Sequence, residues 1–237
     1  MSISVSTTTG ADTTTPTTEK KPKARFLQSQ AASNTITGAL QSITAALEDP
    51  VILKLMSARA YDEPEFHVGL DFQASAQSAF DTRQKSPATK AEAKKLRDEA
   101  FDLAWEEFSD FRTTVKPMRK LSDSDKATLG ATGKMTRDLQ KFVTNATAAY
   151  QAAQKSPYTE LLAPRSYTIT WLNNAIARLK TVTDYDNSYT GAKALAKSST
   201  EARNAAVDAL DDWMREFRAN AKIALKTQPV LLAKLGL

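Results

Sequence analysis

One histidine, His67, stands in Glu65-Phe66-His67-Val68, and the 237 residues contain no cysteine. A dinuclear carboxylate centre in a helical bundle needs a Glu-x-x-His pair on each of two helices, so a single histidine cannot complete one. A helix-borne zinc protease motif fails on the same count. Without thiolates the chain lacks the ligands of zinc fingers and iron–sulfur clusters, a thiol nucleophile and any disulfide. Haem ligation by His67 with a methionine has no accompanying motif, so His67 reads as a structural or surface side chain near the start of a helix. Carboxylates gather at Glu106, Glu107 and Asp110 and again at Asp208, Asp211 and Asp212. Seam residues lie between the acids in each group, which sends the carboxylates to the flanks of a helix and into water. Arg112 and Arg218 then read as partners for acids one turn back. A general acid–base pair would need a pocket that raises a carboxyl pKa, and nothing in the sequence outlines one. Gly130-Ala131-Thr132-Gly133-Lys134 has the composition of a phosphate loop but neither its preceding strand nor its spacing, and Gly-x-Gly-x-x-Gly and Gly-x-Ser-x-Gly are absent. No catalytic residue, cofactor-binding residue or metal ligand is assigned, and the chain reads as a non-enzyme.

The elements that would position these groups repeat. Phe101–Gly130 laid over Val207–Gly236 matches Asp102 with Asp208, Phe111 with Phe217, Arg112 with Arg218, Lys116 with Lys222, Leu129 with Leu235 and Gly130 with Gly236. Phe101, Ala104, Phe108, Phe111, Val115 and Met118 fall on Val207, Leu210, Met214, Phe217, Ala221 and Ala224. Both sets step by three and four, the spacing of a helix that packs along other helices. A period near 106 residues points to a tandem duplication.

Within the first copy, Ile36, Leu40, Ile43 and Leu47 predict a helix from about Ala31 to Leu47. Asp49-Pro50 caps a short second helix. Another helix is expected from Phe66 to about Gln84, a turn at Ser86-Pro87, and a capping box at Thr89 and Glu92 opening the helix that carries the seam. Pro117 should end or kink that helix, and a short helix from Ser124 to Leu129 closes at Gly130 and Gly133. The second copy replays this through Ser156-Pro157, a polar linker at Thr183–Thr190 and a long helix from about Gly191 to Thr227 stopped by Gln228-Pro229. The expected fold is all-α: a tandem duplication of a long-helix hairpin, giving an elongated four-long-helix bundle with short elbow helices. Residues 1–25 form a Thr- and Lys-rich arm too poor in apolar surface to fold alone. Residues 26–132 and 133–237 are the two hairpin repeats, packed as one domain.

Thirty-two Lys and Arg against 27 Asp and Glu leave a net charge of +5, and Lys20, Lys21, Lys23 and Arg25 of the arm supply four of the positive charges. The remainder is nearly balanced, which argues against a nucleic-acid partner. No apolar run approaches the roughly 20 residues that span a bilayer. The opening Met-Ser-Ile-Ser-Val lacks the regions of a secretory signal, which leaves the compartment open between the cytoplasm and non-classical export. Trp105, Trp171 and Trp213 fall on helices, with Trp105 and Trp213 beside seam residues, where core-edge packing competes with a subunit interface. With the four arm cations they are the candidate interface residues.

The stretch Ala209-Leu-Asp-Asp-Trp-Met-Arg-Glu-Phe-Arg218, followed by Ala221–Pro229 and Leu231–Gly236, resembles the C-terminal signature of a family of bacterial all-helical proteins of no known activity. Asp98–Trp105, Phe111 and Leu129-Gly130 resemble the matching internal segment. The resemblance covers roughly residues 95–145 and 195–237; it implies a helical fold and carries over no site residue. The expected function is that of a structural protein without a cofactor, self-assembling as a homo-oligomer or polymer, in the manner of a filament or sheath. A helical adaptor for a protein partner is the alternative, and a membrane-active helical protein a more distant one.

Overall fold

The structure, a computed structural model, describes the backbone of residues 21–237 and the side chains from residue 30 onward. Every regular element among the described residues is helical: α1 (Lys21–Glu48), α2 (Pro50–Ser57), α3 (Glu63–Val115), α4 (Asp123–Thr128), α5 (Leu139–Ala153), α6 (Tyr158–Leu162) continued by a 3-10 turn (Ala163–Arg165), α7 (Ile169–Ala224) and α8 (Pro229–Lys234). The all-α expectation holds. Two helices exceed fifty residues, α3 with 53 and α7 with 56, whereas α1 has 28 and α5 has 15. Helix α1 starts ten residues earlier than the apolar spacing suggested. Of the arm, Lys21, Lys23 and Arg25 fall within α1 by backbone; Lys20 and all four side chains lie outside the described residues.

Local chemistry explains most boundaries. The Asp49 carboxylate accepts from the N–H groups of Val51 and Ile52, with Pro50 at the first helical position, so α2 begins as expected. Asp62 accepts from Glu65 N at 3.2 Å and Thr168 from Trp171 N at 3.2 Å, capping α3 and α7 at positions 106 residues apart. Helix α3 stops at Val115, two residues short of Pro117. Ser122 and Asp125 form a reciprocal capping box on α4.

Two expected breaks are absent. Helix α3 runs unbroken through Ser86-Pro87, so Thr89 and Glu92 do not open a helix. Proline 87 cannot donate to the carbonyl of Arg83, and the Ser86 hydroxyl, 3.0 Å from that oxygen, donates in its place. Ser86 Oγ lies 3.0 Å from Ser199 Oγ on α7. The Ser199 hydroxyl, itself 3.3 Å from Ala196 O, thus shares a hydrogen bond with Ser86 across the two helices. The Thr183–Thr190 segment is likewise helical. Thr183 and Ser188 donate to the carbonyls one turn back, Asp184 pairs with Lys180 at 3.2 Å, and Asp186 and Tyr189 both meet Arg97 of α3. Its polar residues are thus partners within and between helices. Loop formation would release them to no gain.

The chain divides into two compact units, each built from both ends of the 106-residue correspondence. Unit 1 holds the residues through Gln77 together with Val207–Leu237. Its core gathers Ile36 and Ile43 of α1, Ile52 and Met56 of α2, Phe66 of α3, and Leu210, Met214 and Phe217 of α7. Tyr61 makes ring contacts with Phe66, Trp213 and Phe217 at centroid distances of 5.7–6.1 Å. Gly69 faces the Trp213 ring so closely that a Cβ there would come within 2.5 Å of it. The Ser42 hydroxyl donates to Leu235 O at 2.8 Å, and Lys234 pairs with Asp49 at 2.8 Å, tying α8 to α1 and the start of α2.

Unit 2 is the continuous segment Ser78–Ala206. Here α3 and α7 pack antiparallel: the partners of Ser86, Arg97 and Glu107 are Ser199, Asp186 and Arg178, falling along one helix as the other rises. Helix α5 lays Phe142, Ala146, Ala149, Tyr150 and Ala153 against the pair. The pair Phe111–Tyr167, at 5.2 Å, occupies positions 106 residues from Phe217–Tyr61 of unit 1. Each such aromatic or aliphatic side chain, fully buried, contributes about 1.5–3 kcal/mol.

Candidate functional site

Arg112 follows the buried Phe111 on the last turn of α3 and is 5% exposed, against the expectation that it would pair with an acid in water. Its Nε donates to Gly130 O at 2.6 Å, and its Nη2 donates to Thr132 O at 2.8 Å and Gly133 O at 2.7 Å. The loop comes within reach because α4 is capped by Leu129, which is fully buried, and Gly130 turns back with φ 65°. At Gly130 a Cβ would stand 3.0 Å from the Phe108 ring and 3.2 Å from Ala149. Glycine is therefore required there twice, for its backbone angle and for its close approach. Burial holds the Arg112 guanidinium below its usual pKa, and no described carboxylate lies within ion-pair distance of it. The Gly130–Lys134 segment thus turns carbonyl oxygens toward a cation, the opposite polarity to a phosphate-binding loop, whose N–H groups face an anion. The sequence signal for this role was the glycine pair, since a turn at Gly130 and Gly133 gathers several carbonyls in one place.

A cavity of about 300 Å³ lies against this arginine. Phe108, Met135 and Phe142 give it apolar walls, and Arg112, Lys134 and Asn145 supply polar ones. Elsewhere in unit 2, a groove also of about 300 Å³ runs between α3 and α7, with Leu96, Ala100 and Leu103 on one side and Thr181 and Tyr185 on the other. Leu103 is 52% exposed and Leu96 36%. Arg178 and Glu99 stand at its margin, with Arg178 Nε donating to Glu107 at 2.6 Å and Lys95 3.8 Å from Glu99.

The remaining candidates are placed as follows. Among the acids, Glu107 bridges helices through Arg178, while Asp211 and Asp212 both meet Arg215. Arg218 reaches Asp211 at 3.8 Å, two turns back. His67 is exposed, 4.0 Å from Glu63. Trp105 is half-buried, tilted against the Phe101 and Phe142 rings with Arg137 over its own ring at 4.8 Å. Trp171 meets Tyr150 and Tyr167 edge-on. Trp213 is buried, donating from Nε1 to Glu65 at 2.8 Å. Burial pushes up the Tyr150 hydroxyl's pKa, and this hydroxyl has no hydrogen-bond partner among the described residues. No helix among the described residues is long and apolar enough to cross a membrane.

No family model, no curated protein and no solved structure matches this chain.

Proposed function

We propose that the protein is a non-enzymatic structural protein that assembles with copies of itself through its helix surfaces and its N-terminal arm, extending as a filament or sheath. The observation that carries this reading is the α3/α7 groove of unit 2. Leu96, Ala100 and Leu103 repeat at helical spacing on a face that the described residues leave open. Such a seam is worth covering with another helix. The margin carries Lys95 and Arg178 beside Glu99 and Glu107, so it is close to neutral and self-complementary. A second copy laid antiparallel meets opposite charges there, whereas a polyanion meets as much repulsion as attraction. A twofold groove contact alone closes as a dimer, and growth into a polymer needs a second, head-to-tail contact. The arm, with Lys20, Lys21, Lys23 and Arg25, is the element proposed to supply it, and the exposed edge of Trp105 is a further contact.

The test is light scattering with electron microscopy across the micromolar range, on the wild type and on Leu103→Glu. The wild type is expected to exceed the mass of one chain and Leu103→Glu to dissociate while keeping its helicity. A wild type that remains monomeric throughout contradicts the reading. If that monomer instead captures one other protein stoichiometrically through the groove, the adaptor reading replaces it.

A further inference from the structure

Arg112 and Arg218 occupy corresponding places in the two units, yet their charges are handled differently. Arg218 is partly exposed and has a carboxylate, Asp211, at 3.8 Å. Arg112 is nearly buried, with carbonyl oxygens as its acceptors and the Phe108 ring 6.0 Å from its guanidinium carbon. It also lines the cavity bounded by Phe108, Met135, Phe142 and Asn145. A buried cation met by carbonyl dipoles and a ring face remains short of a full negative charge. Lys134, at the margin of the same cavity, has no ion-pair partner among the described residues either.

We propose that this cavity binds a small organic monoanion, a carboxylate carried on an apolar body. The carboxylate would meet the Arg112 guanidinium and the Lys134 ammonium, and the body would lie against Phe108, Met135 and Phe142. A dianion such as a phosphate monoester is disfavoured, because three carbonyl oxygens already crowd the guanidinium. At about 300 Å³ the space is at the small end of ligand sites, which limits the body to a single ring or a short chain. This site is separate from the α3/α7 groove and does not depend on self-assembly.

Titration of the full chain with phenylacetate and with hexanoate, followed by amide chemical shifts, tests it. Saturable shifts on residues 127–149 are expected, with a Kd on the order of 1 mM or tighter for ligands of this size. Phenylacetamide, which lacks the charge, is expected to bind about tenfold more weakly. Lys134→Glu should weaken phenylacetate about fivefold, a surface charge effect that added salt reduces. Ala148→Phe, at an exposed position of α5 on the cavity wall, should abolish binding by filling the space. Four results overturn the proposal: no saturable shift from either carboxylate at about 10 mM, equal binding of the amide, shifts that map elsewhere, or a folded Ala148→Phe that binds unchanged. Should Ala148→Phe not fold, the amide comparison and the shift map on the wild type decide.

Discussion

Arg112 shows how one side chain changes meaning between a helix viewed alone and a helix in place. By spacing it belonged with the acids of its own helix. In the structure it holds the chain reversal after α4, through three carbonyls that are 18 to 21 residues away. Removing those bonds from a buried site costs far more than removing an exposed ion pair. Arg112→Met is therefore expected to lower the unfolding free energy by about 2–4 kcal/mol in urea denaturation, and Arg218→Met, at the corresponding but partly exposed position, by less than about 1 kcal/mol. Equal losses would show that the loop is not held by Arg112. Titratable groups set limits on both sides of neutral pH. The Asp125 carboxyl is held below its ordinary 3.8 by the Ser122 hydroxyl and then Tyr158, and Asp49 is lowered by its bond to Lys234. A lowered carboxyl releases its proton more readily in the folded chain. Its contribution is complete above the unfolded value and is lost as pH falls through the folded one, below about pH 4. Burial raises Tyr61 to about 12. That contribution is complete below the unfolded value of 10.0 and is lost as pH rises toward 12. Unfolding midpoints are expected to form a plateau across neutral pH with these two limbs, and Asp125→Asn to flatten part of the acid one.

At the scale of elements, signals confined to a few neighbouring residues were legible and those needing a distant partner were not. The Asp49-Pro50 cap, the end of α3 before Pro117 and the short α4 all follow from local chemistry, and all are present. Ser86-Pro87 and Thr183–Thr190 looked like breaks for local reasons too. They are helical because Ser199 and Arg97, each about a hundred residues away in sequence, complete their hydrogen bonds and ion pairs. A double-mutant cycle at Ser86 and Pro87 separates the two roles of the Ser86 hydroxyl. Ser86→Ala leaves the Arg83 carbonyl without a donor and is expected to cost about 1–2 kcal/mol. In a Pro87→Ala background the new backbone N–H serves that carbonyl, so the cost should fall by at least half. An unchanged cost would mean that Ser86 acts only through Ser199.

At the scale of the whole chain, the 106-residue correspondence reaches further than the seam from which it was read. Helices α4 and α8 begin 106 residues apart, as do the caps of α3 and α7, and the Tyr–Phe pair recurs in both units. Composition by itself could not show that each unit joins the opening of one repeat to the close of the other, because seam residues specify a helix face without naming the helix that covers it. The cavity was illegible for a related reason: it depends on a loop whose carbonyls find Arg112 only once α3, α4 and α5 are assembled. The α3/α7 groove is the same kind of feature, a helical seam that the described residues leave uncovered.

Sedimentation velocity on the wild type and on Leu103→Glu, over the same micromolar concentrations, tests the proposed self-assembly most directly. The wild type is expected to sediment faster as concentration rises, and Leu103→Glu to remain at the mass of a single chain with unchanged helicity. A wild type that sediments as a monomer at every concentration, or a Leu103→Glu chain that assembles as the wild type does, would contradict it.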